Sequence, residues 1–95
     1  MGVLTLMGPS ESARRYMLST SDRHLGRAPS NDVVIQDQQV SGRHARVFYE
    51  EDAFWVEDLD STNGTYVNGR KIEGRTRLRD ADMIKVGGTI LKFTL

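Results

Sequence analysis

Apolar residues in this chain fall in short runs of three to seven positions, each closed by turn-forming residues. The runs are Val3-Met7, Arg15-Leu18, Val33-Ile35, Ala45-Tyr49, Ala53-Glu57, Thr65-Val67, Met83-Val86 and Thr89-Leu95. Between them lie Gly8-Pro9-Ser10, Ser21-Asp22, Pro29-Ser30-Asn31-Asp32, Ser41-Gly42, Glu51-Asp52, Thr62-Asn63-Gly64, Asn68-Gly69, Glu73-Gly74 and Gly87-Gly88. No uninterrupted stretch keeps helical periodicity over ten residues. Brief β-branched and aromatic runs with close turns predict an all-β sandwich or barrel. Alternation assigns the faces. Leu91, Phe93 and Leu95 point one way, with Ile90, Lys92 and Thr94 the other, and Ala45, Val47 and Tyr49 oppose Arg46 and Phe48. Apolar Ile90 and Phe48 on the second face call for partial cover from a neighbouring strand or loop.

Composition narrows the function. Ninety-five residues make one domain with a modest core, and 13 basic residues balance 13 acidic ones. A general nucleic-acid or membrane binder would carry a basic excess, so neither partner is expected. Ten of the basic residues are arginines, the side chain suited to bidentate grips on phosphate and carboxylate. The absence of cysteine leaves no disulfide framework or thiolate metal site and goes with a cytoplasmic setting. No run approaches the roughly 18 apolar residues of a membrane span. The opening residues are expected to be neither a signal peptide nor a myristoylation signal, since Leu6 stands where Ser or Thr is required.

Three clusters carry candidate chemistry: Gly26-Arg27 with the following Pro-containing loop, Ser41-Gly42-Arg43-His44, and Asp58 to Thr65 continuing to Asn68-Gly69. Asn63-Gly64 alone marks a plain type I′ turn, with both residues suited to positive φ. Here it lies among Ser61, Thr62 and Thr65, whose hydroxyls and neighbouring N–H groups can surround an anion or clamp a peptide. Ser41 and His44, with Asp37, Asp58 or Asp60, form an incomplete hydrolase set. Ser41 has no Gly-x-Ser-x-Gly elbow, and two histidines without clustered carboxylates do not make a metal site. Gly64-x-x-x-x-Gly69-Arg70-Lys71 lacks the Lys-Ser/Thr ending and helix of a nucleotide-binding loop. An arginine, a serine and a Thr-Asn pair on separate loops at one end of a sandwich would instead give a cation plus neutral donors. That set recognises a phosphorylated side chain without catalysing anything.

In order and spacing, Gly26-Arg27, Ser41-x-x-His44, Asp58-Leu59-x-Ser61-Thr62-Asn63-Gly64-Thr65 and Asn68-Gly69 resemble the signature of the forkhead-associated (FHA) family. The match runs from about Gly26 to Gly69. The resemblance implies a sandwich of about eleven strands in two antiparallel-rich sheets, with phosphothreonine-binding loops at one end and no enzymatic activity or cofactor. It implies that Arg27 and Ser41 grip the phosphate with help from Thr62, and that Asn63 bonds the peptide backbone. It makes His44 a brace for the loops, gives Gly26, Gly64 and Gly69 backbone roles, and has Asn68 order its hairpin.

Gly42 stands where some relatives carry a polar side chain, so Arg43 or the Gly42 N–H would substitute for it. Gln39, two residues before Ser41, lies where the family often reads the third residue after the phosphothreonine, and a neutral residue there sets no strict acidic preference. The expected unit is a single domain over residues 1–95, monomeric alone, within a longer signalling protein. The ending is similar to bacterial FHA domains found ahead of signalling catalytic domains such as diguanylate cyclases. The alternative is an adaptor that uses the sandwich face and needs no phosphate.

Overall fold

The computed structural model describes residues 2–7 and 14–95, and the turn expected at Gly8-Pro9-Ser10 lies outside them. Among the described residues there is no helix. Eleven strands follow one another: β1 (Val3–Met7), β2 (Arg14–Met17), β3 (Arg23–Gly26), β4 (Val33–Val34), β5 (Ala45–Glu50), β6 (Ala53–Asp58), β7 (Thr65–Val67), β8 (Arg70–Lys71), β9 (Thr76–Arg77), β10 (Met83–Val86) and β11 (Thr89–Thr94). All eight expected runs became strands, with ends displaced by at most one residue. β3, β8 and β9 were not expected. β3 has one large apolar residue, Leu25, and β8 and β9 are two-residue edge strands, Arg-Lys and Thr-Arg, too short to show a period.

The strands form two sheets, ordered β2-β1-β11-β10-β7-β8 and β4-β3-β5-β6-β9. Every pairing is antiparallel except β3 with β4. Of the residues that alternation turned inward, Leu91, Phe93, Ala45 and Val47 are buried in the core. Leu4, Ile84, Val86, Leu91 and Phe93 meet Leu25, Val33, Ala45, Val47 and Val56 across the interior, all at most 1% exposed. Phe54 and Phe93 join the sheets edge to face with centroids 5.6 Å apart, a favourable aromatic geometry. Burial of this continuous cluster is the main force holding the sheets together.

Three expectations change. Leu95 lies beyond the end of β11 and is 71% exposed, because no strand faces it there. Ile90 is 40% exposed, whereas Phe48 is covered as expected, by the Arg46 guanidinium stacked 4.0 Å from its ring centroid and by Arg75. Arg46 is itself held by Asp22 and Glu57 at 2.6 and 2.7 Å. Finally, Asn63-Gly64 is not a hairpin turn. β6 and β7, which flank it, belong to different sheets, and of the pair only Gly64 has positive φ (83°). Of the two Asn-Gly pairs it is Asn68-Gly69 that forms a type I′ hairpin, with φ of 51° and 84° between the paired Val67 and Arg70.

Candidate functional site

The ends of β3 and β6 and the starts of β5 and β7 lie at one end of the sandwich, as the registers Leu25↔Ala45 and Ala45↔Asp58 require. Residues 27–32, 35–44 and 59–64 therefore emerge together. The Gly87-Gly88 turn joins them, because Val86 is paired with Thr65.

Backbone and brace bonds fix these loops to one another. Arg27 N–H donates to the Ser41 carbonyl (3.0 Å) and Ala28 N–H to the Gly42 carbonyl (3.1 Å). The strands meet so closely here that a Cβ on Gly26 would stand 2.3 Å from the Gly42 oxygen, so position 26 admits only glycine without rearrangement. His44 is fully buried. Its Nδ1 accepts the Ser41 N–H at 3.1 Å, which leaves the ring proton on Nε2 to donate to the Gly64 carbonyl at 2.8 Å. Both ring nitrogens are thereby engaged with backbone, so His44 ties the second loop to the third and is not placed as a base for Ser41. Among the described residues no group of His, Cys, Asp or Glu is arranged to hold a metal ion.

Above these braces the tips are open. Ser41 Oγ accepts the Thr62 N–H at 3.0 Å, which orients the hydroxyl and leaves its proton to donate outward. Asn63 Nδ2 donates to the Gln39 carbonyl at 2.9 Å, leaving Oδ1 and one N–H for a ligand. Arg27 and Arg43 are exposed and pair with no carboxylate among the described residues. A side chain on Gly42 would meet nothing within 4 Å. The structure thus brings together Arg27, Ser41, Gly42, Arg43, Thr62 and Asn63, with Gly26, His44 and Gly64 beneath them. It does not bring Asn68 and Gly69 there. They lie at the far end of β7, where Asn68 bonds Asp82 and the Met83 backbone.

Sequence reasoning missed four braces. Asn31, only 7% exposed, donates from Nδ2 to the Ala28 and Gly42 carbonyls. Asp58 accepts the Ser61 N–H and the Ser61 and Thr65 hydroxyls, and Ser61 Oγ in turn accepts the Gly64 N–H. Partial burial pushes the Asp58 carboxyl pKa up, but the hydrogen bonds from Ser61 and Thr65 outweigh it and hold the pKa below the usual value. Asp37 accepts from Gln39 N–H, Gly88 N–H and the Thr89 hydroxyl, fastening the Gly87-Gly88 turn to the second loop. The Gln39 and Thr89 hydrogen bonds lower its pKa. The Asp58-x-x-Ser61 spacing is a readable side-chain-to-backbone turn signal, as is the Asp37 bond to Gln39 N–H, while the bonds of Asp37 to Gly88 and Thr89 and of Asn31 to Gly42 have no local signal.

Comparison with known proteins agrees with this arrangement. The model of the FHA domain family matches residues 23–87. The FHA domain-containing protein FhaB of Mycobacterium tuberculosis is 35% identical over 79 residues, covering 83% of this chain and 51% of FhaB. The chain spans about half the length of the first curated relatives it matches. The crystal structure of the FHA domain of CT664 from Chlamydia trachomatis superposes with a TM-score of 0.93 at 27% identity, covering 99% of this chain and 96% of that one. A chain from a structural and functional analysis of phosphothreonine-dependent FHA domain interactions has a TM-score of 0.89 at 29% identity, covering 99% and 95%.

Proposed function

The chain belongs to the FHA domain family, and from that premise we propose that its loop end binds phosphothreonine on a partner protein as a signalling module. The observation that carries this reading is the state of the loop tips. The Ser41 hydroxyl is oriented by the Thr62 N–H with its own proton left over, on a loop fastened to the residue that bears an uncompensated arginine, Arg27. A phosphate ester brings close to two negative charges and three acceptor oxygens, which this cation and these neutral donors complement. Asn63, with Oδ1 free, bonds the peptide backbone beside the modified residue. Arg43 and the Gly42 N–H flank the phosphate. The related chain from work on phosphothreonine-dependent FHA interactions supports the same ligand class. With the His44 ring engaged on both sides, the site recognises its ligand and leaves it unchanged. Threonine phosphorylation consumes ATP, so the module works in the cytoplasm. Residues 1–95 would be the recognition unit of a longer protein, as in the relatives of which this chain spans about half.

Titration of one peptide in its phosphothreonine, phosphoserine, glutamate and unmodified forms tests the reading. Phosphothreonine should bind tightest, phosphoserine less tightly by up to about 1 kcal/mol for the lost methyl contact, and the other two only weakly. Equal affinity for all four would shift the assignment to a phosphate-independent adaptor.

A further inference from the structure

A second feature lies alongside the loop end. β8 and β9 are the last strands of their respective sheets, and a groove opens between these two edges. Arg70, Lys71, Arg77 and Arg79 line it, with Ile72 among them. All four cations are exposed, and none makes an ion pair with a carboxylate among the described residues. Two acidic residues also line the groove. Asp82 is held in place, its oxygens accepting the Asn68 amide and the Arg79 N–H, and with Glu73 it sets two negative charges against four positive ones. In a chain with no net charge, this imbalance is local.

One of the residues lining the groove reaches the loop end. The Lys71 side chain lies over Gly64, its Cε 2.8 Å from where a Cβ on that residue would stand, and Gly64 follows Asn63 directly. From there the way along β7 leads to Val67 and Asn68, which line the groove. That is a length of about four extended residues, roughly 14 Å.

We propose that this groove takes an acidic stretch of the same partner chain that carries the phosphothreonine, lying about three to six residues from it. The inference rests on the phosphothreonine reading and adds a specificity that the loops do not supply. An extended segment leaving the loop tips past Lys71 places its carboxylates against Arg70, Arg77 and Arg79. Exposed ion pairs are individually weak and screened by salt, so the gain depends on several acting together and fades as ionic strength rises. A nucleic acid is the less favoured occupant, because the cations are confined to one short groove and do not extend into a basic face.

The test uses phosphothreonine peptides that share a core and carry either alanines or glutamates three to six positions away. One glutamate peptide has the run before the phosphothreonine, and another has it after. Each is titrated against the parent protein and an Arg77→Ser, Arg79→Ser double variant at low and high salt. One glutamate peptide should bind the parent about tenfold more tightly than the alanine peptide at low salt, with the gain shrinking at high salt. The double variant should lose that gain and bind the alanine peptide as the parent does. The proposal is overturned if neither glutamate peptide gains, or if the gain survives in the double variant. It is also overturned if neither gains while a single-stranded oligonucleotide binds the parent and not the double variant. Failure of even the alanine peptide to bind would locate the error in the phosphothreonine reading itself.

Discussion

Replacing Arg27 and Asn63 separately by alanine distinguishes a ligand contact from a contact that also holds the loops. The Arg27 guanidinium makes no hydrogen bond or ion pair to the described residues, and the backbone bond from Arg27 N–H to Ser41 survives truncation. Arg27→Ala should therefore melt within about 1 °C of the parent. Loss of a hydrogen bond to a charged group costs about 1.5–3 kcal/mol, which corresponds to a weakening of about ten- to 150-fold for a phosphothreonine peptide. Because that contact is partly screened Coulomb attraction, the affinity of the variant should also depend less steeply on salt. Asn63→Ala differs on both counts. It removes the Nδ2 bond to the Gln39 carbonyl as well as the bond to the peptide. Asn63 has no positive φ, so alanine adds no backbone strain. The exposed loop bond is worth about 0.5–1.5 kcal/mol, a lowering of several degrees in Tm. The lost peptide contact adds a weakening of about 1–3 kcal/mol with unchanged salt dependence. Calorimetric titration at two salt concentrations, with thermal melts of each variant, gives all four quantities. If Arg27→Ala binds within twofold of the parent at the parent's salt dependence, the phosphate site is misassigned.

Gly26→Ala should destabilise the fold by about 1–3 kcal/mol and weaken peptide binding, since its Cβ meets the Gly42 carbonyl, which is backbone and cannot swing away; a melt unchanged from the parent would contradict this packing. Gly42→Asn should leave the melt within about 0.5 kcal/mol, because the position faces open space, and tighten phosphopeptide binding several-fold by adding a donor beside the phosphate; unchanged affinity in titration would place Gly42 away from the ligand. The Asp58 carboxyl has a folded-state pKa below its unfolded value, so its contribution to stability is complete above about pH 4 and is lost as pH falls through the folded value. Thermal melts of the peptide-free protein between pH 6 and 2.5 should show a decline beginning near pH 4 that is shallower in Asp58→Asn, and identical slopes would remove Asp58 from its bracing role.

The sandwich was legible because the core uses residues whose periods survive in short runs. Leu91 and Phe93, or Ala45 and Val47, announce their face by alternation alone. β3 escaped that logic even though it lies inside its sheet between β4 and β5. Arg23 and His24 are half-buried side chains whose cover comes from elsewhere, and only Leu25 is a large residue pointing at the core. In the candidate site, the loop tips Arg27, Ser41, Thr62 and Asn63 stood out in the sequence because the phosphate recognition proposed for them needs those residue types in ordered clusters. Asn31 and Asp37 were not, because their worth depends on which backbone groups the fold delivers to them: the Gly42 carbonyl 11 residues from Asn31, and the Gly88 N–H 51 residues from Asp37. The Asn63-Gly64 turn misled for the same reason. An Asn-Gly pair shows that the chain reverses, but whether it returns to its own sheet or crosses to the other is set by the strands on either side.

The loop end divides its atoms between two tasks, and the division suits the function proposed for it. Arg27, Ala28, Ser41, Thr62 and Gly64 each spend their backbone N–H on another group of the same site. His44, Asn31, Asp58 and Asp37 spend side-chain polar atoms holding those loops. The guanidinium of Arg27, the proton of Ser41 and the Oδ1 of Asn63 remain uncommitted. A ligand therefore meets loops that are already ordered, and little of its binding energy is consumed in fixing them. Small neutral donors can then discriminate between a phosphate and a carboxylate, because the geometry exists before the ligand arrives. Substitution of Arg27 should accordingly change affinity alone, those at the braces should change stability and affinity together, and Ser41 and Asn63, each with one bond of each kind, should do both.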